Sequence, residues 1–441
     1  MNASSPQYID VRHLRIGMHV HLDVGWMEHP FALSSFRIVS EDQIATIRSL
    51  GLARVRWEPQ RSDPSVVAVL AGMDLEALPA AEDAPASAPP APPGEVMSQA
   101  EQEARRRRRE LLAQQQASLA QCERELTQAQ RSYKQVVELV HAEPKSAREK
   151  SEALIQAFRD KISGTHETCI RLLTEVAGDR ASFHSLNVTV ISMLLGKALG
   201  LGGGDLQDLG MGALLHDVGK IDLPDRVRWK DEHFTLAELQ FYQEHVAHGV
   251  GIARKMQLNP VVALVIGQHH EHADGSGFPM RLSGDRIVLA ARIVALVNRY
   301  DNLCNPHNPA KAMTPHEALS LMFAQMKSRF DGPILSAFIK MMGVYPPGSI
   351  VQLTNERYAL VVSVNAARPL KPRVVVHDPR VPRDEALVVE LEEHPDLGIR
   401  RSLKPLQLPR ESLDYLSPRQ RICYFFERAR EARLDGEGLA A

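Results

Sequence analysis

Histidine is unevenly distributed along this chain, and its distribution limits the folds that the chain can adopt. Of the 18 histidines in 441 residues, nine fall between His166 and His272. Several of these nine lie in apolar segments with the spacing of α-helices. An imidazole inside an apolar core costs free energy unless it finds a partner. We therefore predict a central helical core in which these side chains satisfy one another or share a ligand.

The first 150 residues are predicted to form three segments. Residues 1–66 fit a small α/β domain, in which Ser40 and Gln43 form a capping box at the start of a helix. Residues 67–96 are an Ala/Pro-rich linker that cannot form a packed core. Residues 97–150, rich in Gln, Glu, Arg and Ala, predict a long and mostly solvated helical connector.

The rest of the chain is predicted to form two domains. Residues 151–343 are apolar with helical periodicity, which indicates an all-α bundle. Residues 344–441 contain short β-branched runs, including a predicted hairpin of residues 350–353 and 358–364, which indicates a small β-rich domain. The predicted fold class is thus multidomain, with a central all-α bundle between an α/β domain and a β domain.

Composition excludes several classes of protein. A net charge of -2 provides no electrostatic argument for a nucleic-acid polymer or an anionic membrane as partner. No apolar run reaches the roughly 18 residues that span a bilayer, and the N-terminus lacks the apolar core of a secretory signal. The four scattered cysteines indicate neither a disulfide framework nor a zinc ribbon. We expect a cytoplasmic protein; a homodimer through the long helix, and signalling partners of the flanking domains, stay open.

The segment GMGALLHDVGK carries the first chemical signal. His216 and Asp217 follow an apolar helix, and Gly219 would let that helix end before Lys220. A divalent cation suits this pair, because imidazole offers a nitrogen lone pair and a carboxylate can bridge two ions. A buried His–Asp hydrogen-bonded pair without metal remains the alternative from these residues alone.

Other histidines strengthen the metal hypothesis. His184 lies on an apolar helical stripe, and His245 lies on a predicted helix where it shares a face with Phe241. His269 and His270 end an apolar helix just before a glycine-rich loop. Any one of them could be a satisfied core histidine. Five inward histidines and one aspartate are better explained by a shared binuclear metal site.

The motifs HDVGK, HVAHG and HHEHADGSGFP, in this order and spacing, resemble the HD-GYP family of cyclic di-GMP phosphodiesterases. The resemblance covers roughly residues 166–340, and the flanking regions resemble a subgroup with a small N-terminal domain of unknown function. It implies an all-α bundle of the HD phosphohydrolase type. It also implies hydrolysis of cyclic di-GMP to the linear dinucleotide or to GMP.

The resemblance implies a role for each matching residue. Two divalent ions, iron or manganese for a site with N and O ligands, would share Asp217 as a bridge. Lys220 would neutralise a phosphate oxygen, next to a metal-activated water. Gly275 and Gly277 would let the loop approach the ligand, with Phe278 and Pro279 shaping the site. One ion would be held by His184, His216 and, weakly, Asn298, and the other by His245, His269 and His270.

Four departures from the family pattern keep other functions open. Phe278 replaces the tyrosine of the GYP signature, and Asn298 replaces the usual aspartate ligand. Arg180 cannot supply the carboxylate that some members use for a third metal, and residues 304–309 replace an arginine-proline-tyrosine motif. The alternatives are a cyclic di-GMP sensor with little or no turnover, and an HD phosphohydrolase for another nucleotide.

Overall fold

The computed structural model divides the chain into two compact units, Met1–Val96 and Met97–Ala441. The predicted linker at 67–96 lies outside the described residues. The structure describes residues 7–22, 35–50, 52, 54–63, 66, 99–163, 168–173, 180–229, 233–365, 371–418 and 421–428.

The first unit is a small α/β fold. Its strands β1 (Gln7–Asp10), β2 (His19–His21), β3 (Ser35–Arg37) and β4 (Arg54–Trp57) form an antiparallel sheet in the order β1-β4-β2-β3. Helix α1 (Glu41–Ser49) begins after Ser40, whose Oγ accepts a hydrogen bond from Gln43 N at 3.4 Å. The predicted helix start is confirmed. The Gln43 side chain, however, accepts from Val39 N rather than from Ser40 N.

A pair of helices opens the second unit. Helix α2 (Gln99–Leu139) and helix α3 (Pro144–Ser163) pack against each other. The predicted long helix is present, and its described residues before Cys122 are exposed or half-buried. From Cys122 onward one face is buried in the main core, because apolar residues recur there at alternating spacings of four and three. The buried residues of this face are Cys122, Leu126, Ala129, Tyr133 and Val136, followed by Val140.

The helical bundle that contains the histidines follows. Its contacting helix pairs include α4 with α5, α4 with α8, α5 with α7 and α6 with α7. Nearly all of α4 is buried, from Ser182 to Gly196, so this helix is the centre of the bundle. The helices are α4 (Arg180–Ala198), α5 (Gly203–Leu215), α6 (Leu236–Lys255), α7 (Pro260–Gln268), α8 (Leu289–Cys304), α9 (Pro315–Gln325) and α10 (Gly332–Met342).

A seven-stranded antiparallel sheet completes the second unit. The predicted hairpin is confirmed as β6 (Ile350–Leu353) and β7 (Tyr358–Asn365). The main path of the sheet runs β10-β6-β7-β5-β11, and β8 and β9 pair outward from β7. The other elements are β5 (Thr168–Leu173), β8 (Arg373–Val376), β9 (Val388–Glu390), β10 (Ile399–Leu403), β11 (Cys423–Arg428) and the short helix α11 (Arg410–Leu416).

The sheet differs from the predicted arrangement in one respect. Strand β5 lies in the segment predicted to be helical, yet it pairs with β7 and with β11. The C-terminal strands therefore share a sheet with the region before the bundle, and the domain boundary at 343 stays a prediction. Within the described ranges, no helix is long and apolar enough to cross a membrane.

Candidate metal centre

The carboxylate of Asp217 lies between two pairs of imidazoles. Helix α5 ends at Leu215, so the next two residues leave the helix and Asp217 turns into the bundle. Asp217 Oδ1 is 3.6 Å from His245 Nε2 and 3.5 Å from His269 Nε2. Asp217 Oδ2 is 3.5 Å from the Nε2 atoms of both His184 and His216. Each oxygen thus serves one pair, which is the geometry of a bridging carboxylate.

Hydrogen bonds from the other ring nitrogen fix the tautomer of three of these histidines. Each donates its Nδ1–H to a carbonyl three residues earlier, and a carbonyl can only accept. The lone pair is therefore on Nε2, which points at Asp217. The bonds are His216 to Ala213 O at 2.7 Å, His245 to Tyr242 O at 2.6 Å and His269 to Ile266 O at 2.8 Å.

His184 is held differently, by a carboxylate from another helix. Its Nδ1 lies 2.6 Å from Asp301 Oδ2, and Asp301 is almost fully buried. The other carboxylate oxygen of Asp301 accepts hydrogen bonds from the side-chain amides of Asn187 and Asn305, both at 2.9 Å. Both carboxylate oxygens of Asp301 are thus bonded to side chains, and the contact with His184 orients that imidazole.

The arrangement is suited to divalent cations. The Nε2 atoms of His184 and His216 are 3.2 Å apart, and those of His245 and His269 are 3.4 Å apart. In the His245–His269 pair both Nε2 atoms carry lone pairs, so this contact is repulsive unless a cation lies between them. In addition, Asp217 Oδ1 and His270 Nε2 are buried without a hydrogen-bond partner in the described part of the chain.

These atoms form two groups that could each hold one ion. The ligand atoms of Asp217, His245, His269 and His270 lie within 4.8 Å of one another. Those of His184, His216 and Asp217 satisfy the same limit. All six histidine and aspartate ligands predicted from the sequence are thus brought together, and Asp217 belongs to both groups.

Burial keeps most of these imidazoles neutral, which is the form that binds metal. It lowers the pKa of His216 and of His270 well below the usual range, and that of His245 to about 3. Burial also acts to lower the pKa of His184, but hydrogen bonds and attraction from Asp217 and Asp301 outweigh it and raise the pKa to about 9. A metal at His184 Nε2 must therefore displace a proton.

Lys220 contacts the carboxylate of Asp217 directly. Its Nζ is 2.6 Å from Asp217 Oδ2, the oxygen shared with His184 and His216. The ammonium also lies 5.4 Å from the ring centroid of Tyr242 and 5.6 Å from that of Trp229. Burial alone would raise the pKa of Asp217, but Lys220 and the neighbouring imidazoles hold it well below its usual range. Lys220 is thus at the centre, although its role toward phosphate stays a prediction.

Two glycines bring helix α6 against the segment that carries Asp217. A Cβ on Gly219 would lie 2.0 Å from His245 O, and Gly249 is the next neighbour. The prediction that Gly219 ends α5 is therefore wrong. The role of Gly219 is to permit this close crossing. Gly249 also permits close packing, because a Cβ there would lie 2.8 Å from Ile266 Cγ2. The inward neighbour of His245 is Tyr242 and not Phe241, which is 40% exposed.

The glycine-rich loop after α7 packs beneath His270. A Cβ on Gly277 would lie 2.5 Å from His270 O and 2.4 Å from His272 N, so only glycine fits. The close approach that Gly277 permits is thus an approach to the protein backbone. The Phe278 ring stacks on the His270 ring, with centroids 4.4 Å apart and planes at 21°. Glu271, missed by the sequence analysis, accepts hydrogen bonds from two backbone amides further along this loop.

The predicted substrate contacts of this loop are not tested by these distances. Gly275 has φ +77°, a conformation that favours glycine, and Pro279 is exposed.

Asn298 is buried on α8, but its Oδ1 accepts a hydrogen bond from Asn302 Nδ2 at 2.6 Å. Its role as a weak ligand stays a prediction.

A further cluster of side chains near the metal centre was not predicted from the sequence. Arg180, at the start of α4, bonds the His307 ring and Asn305 O, and its guanidinium lies 4.8 Å from the Trp229 ring centroid. The Trp229 and His307 rings are nearly parallel, at 8°. No sequence signal links these three residues, because they come from segments far apart in the chain.

Comparison with protein families identifies two domains. Residues 158–334 match the HD domain, which begins within α3 and includes every predicted metal ligand. Residues 7–157 match a domain of unknown function, DUF3391, so this match runs through α2 into α3.

Several similar proteins are named as phosphodiesterases of cyclic dinucleotides. A cyclic di-GMP phosphodiesterase of Pseudomonas aeruginosa is 28% identical over 83% of this chain and 84% of its own length. A cyclic di-GMP phosphodiesterase response regulator of Xanthomonas campestris pv. campestris is 34% identical over 34% of this chain and 40% of its own. A 3'3'-cGAMP-specific phosphodiesterase of Vibrio cholerae is 30% identical over 37% of this chain and 35% of its own. The chain therefore contains an HD domain preceded by a DUF3391 domain, and it is similar over most of its length to a cyclic di-GMP phosphodiesterase.

Proposed function

We propose that this protein is a metal-dependent phosphodiesterase that hydrolyses cyclic di-GMP at a binuclear centre. The observation that carries the proposal is the position of Asp217, whose two oxygens each face a separate pair of imidazole nitrogens. The similarity to the Pseudomonas enzyme over most of both chains supports the substrate class.

The donor atoms support iron or manganese, because the site offers nitrogen and oxygen ligands and no thiolate. His184 and His216 would hold one ion, and His245, His269 and His270 the other, with Asp217 shared between them. Asn298 is proposed as a weak, neutral ligand of the first ion.

The reaction follows from what each side chain can do. When bound, the two ions would supply a hydroxide nucleophile and stabilise negative charge at the phosphorus. Lys220 would bind a non-bridging phosphate oxygen, because its ammonium lies beside the carboxylate of Asp217. The carbonyl partners of His216, His245 and His269 keep these imidazoles in the ligating tautomer throughout. Phe278, stacked on His270, would exclude water from that side.

A second candidate is hydrolysis of another cyclic dinucleotide. The Vibrio relative is named as specific for 3'3'-cGAMP. Residues 304–309 replace the family's arginine-proline-tyrosine motif, and His307 in this segment is bonded to Arg180. Because this segment near the metal centre differs from the family pattern, both substrates should be tested.

The test is turnover by the purified full chain after incubation with Mn²⁺ or Fe²⁺ under anaerobic conditions. Cyclic di-GMP and 3'3'-cGAMP are supplied separately, and the products are separated by chromatography. Asp217→Asn should abolish turnover. Asp222→Asn is the matched control, because Asp222 lies in the same short segment but is exposed and paired with His141.

The outcomes separate the candidates. Release of the linear dinucleotide or GMP from cyclic di-GMP supports the proposal. Preferred turnover of 3'3'-cGAMP favours the second candidate. Binding of cyclic di-GMP by the metal-loaded protein without turnover identifies a sensor and overturns the enzymatic proposal.

A further inference from the structure

Two asparagine side chains link the residue before β11, and the strand itself, to the carboxylate that orients His184. Asn187, in the middle of α4, donates through Nδ2 to Asp301 Oδ1 at 2.9 Å and to Ile422 O at 2.8 Å. Its Oδ1 accepts from Tyr424 N at 2.9 Å. Every hydrogen bond that the structure shows for the Asn187 side chain is thus made with Asp301, Ile422 or Tyr424.

Asn305 repeats the same pattern from the end of α8. Its Nδ2 donates to Asp301 Oδ1 and to Ile422 O, both at 2.9 Å. Its Oδ1 accepts from Ile422 N at 2.8 Å. Two amides from different helices thus hold Asp301 on one side and the backbone at Ile422 on the other.

The strand is itself anchored in the sheet. Strand β11 pairs with β5 along its whole length, from Cys423 to Arg428. Tyr424, almost fully buried, also donates its hydroxyl to Pro347 O at 3.0 Å. The position of Asp301 therefore depends on the sheet as well as on the helices.

The two groups of metal ligands differ in this respect. The Nδ1 atoms of His245 and His269 are held by carbonyls within their own helical segments. His184 Nδ1 is held by Asp301, and through it by a strand more than 200 residues later in the chain. A displaced β11 would release Asp301 and His184, but it would leave the second group of ligands in place.

We propose that Asn187 and Asn305 are positioning residues that couple the docking of β11 to metal binding at His184 and His216, and that the C-terminal sheet thereby controls one of the two ions. Coupling of this kind is reciprocal, so the ion must also stabilise the docked strand. The proposal rests on the metal centre but on no particular substrate.

The first measurement needs no variant. Hydrogen–deuterium exchange of the full chain is compared without metal and with saturating Mn²⁺. Because the amides of Ile422 and Tyr424 are donors in the network, exchange in peptides covering residues 421–428 should slow at least about 5-fold on metal binding, a typical allosteric coupling. Peptides of the β6–β7 hairpin, in the same sheet, should not change.

The second measurement is a Mn²⁺ titration of Asn305→Ala and Asn187→Ala. One of the two binding steps should weaken about 10-fold and the other should not change. The control is Asn355→Ala, which changes an exposed residue of the β6–β7 turn whose side-chain oxygen accepts a hydrogen bond from Arg357 N.

Turnover is not a readout in either experiment, so a protein that binds metal without hydrolysis still tests the coupling. Unchanged exchange at 421–428 on metal binding overturns the proposal, as does unchanged metal affinity in folded Asn305→Ala. Equal weakening of both binding steps would also overturn it, because it would show a general loss of structure. A wild-type protein that binds no Mn²⁺ refutes the coupling as well.

Discussion

Replacing Lys220 by methionine should have opposite effects on metal affinity and on turnover. Lys220 Nζ and Asp217 Oδ2 are 2.6 Å apart, and the two side chains are only 13% and 8% exposed. Methionine keeps the length of the side chain and removes its charge. Without metal, the carboxylate then loses its closest cation. Breaking a buried pair on one side costs roughly 3–5 kcal/mol.

The structure places the expected cost at the lower end of that range. The raised pKa of His184, about 9, leaves a second cation near the carboxylate in the metal-free protein. We therefore expect a loss of roughly 3 kcal/mol in the free energy of unfolding without metal. Bound ions supply the missing positive charge, so most of this loss should disappear on metal binding. The apparent metal affinity should rise by about 10- to 100-fold, since each 1.4 kcal/mol is a factor of ten.

Turnover should change in the other direction. Loss of a group that stabilises charge in the transition state typically lowers kcat by about 10²- to 10³-fold. The assays are urea unfolding with and without Mn²⁺, Mn²⁺ titration, and turnover at saturating metal. Lys255→Met, which removes an exposed ammonium at the end of α6, is the matched control. Weaker metal binding in Lys220→Met would refute the electrostatic argument, and unchanged turnover would refute a role toward phosphate.

Three further predictions concern Asn298, Gly277 and the effect of pH on stability. Asn298→Asp should tighten binding of the weaker ion and reduce the dependence of turnover on added metal, because only the charge of the side chain changes; metal titration measures this. Gly277→Ala should lower the unfolding free energy by roughly 1–3 kcal/mol, because the added Cβ would lie 2.4 Å from His272 N. Gly251→Ala, whose Cβ meets nothing within 4 Å, is its control. The metal-free protein should lose stability as the pH falls from 7 to 5, by about 1–2 kcal/mol for each histidine held neutral.

The sign of the pH effect follows from the pKa of His245, which is about 3 in the folded protein. The unfolded chain takes up a proton near pH 6.5 and the folded chain does not, so acid favours unfolding. His184, with its raised pKa of about 9, contributes a smaller opposite change, which is lost as the pH rises through 9. Urea unfolding of the chelated protein at pH 7 and pH 5 measures the sum. Equal stability at both values would contradict the neutral, buried state of these histidines.

Unchanged metal affinity in Asn298→Asp would contradict the assignment of Asn298 as a ligand.

The sequence by itself determined the parts of the site that are encoded within single helices. The motif around His216 and Asp217 and the paired histidines after α7 were found because apolar periodicity, followed by polar residues at a helix end, is a local pattern. The bonds that fix three tautomers are local too, each to a carbonyl three residues earlier. The capping box of Thr235 and Glu238 at the start of α6 is another feature encoded within a few neighbouring residues.

Only the tertiary structure decided how the ligands are held and which other elements reach them. Asp301 is 117 residues from His184, and no spacing rule links the two. Strand β5 lies in a segment predicted to be helical, and it forms a strand because β7 and β11 provide hydrogen-bond partners on both sides. The buried face of α2 likewise depends on the helices packed against it. Contacts of this kind depend on which surfaces meet after folding, and a one-dimensional pattern does not contain that information.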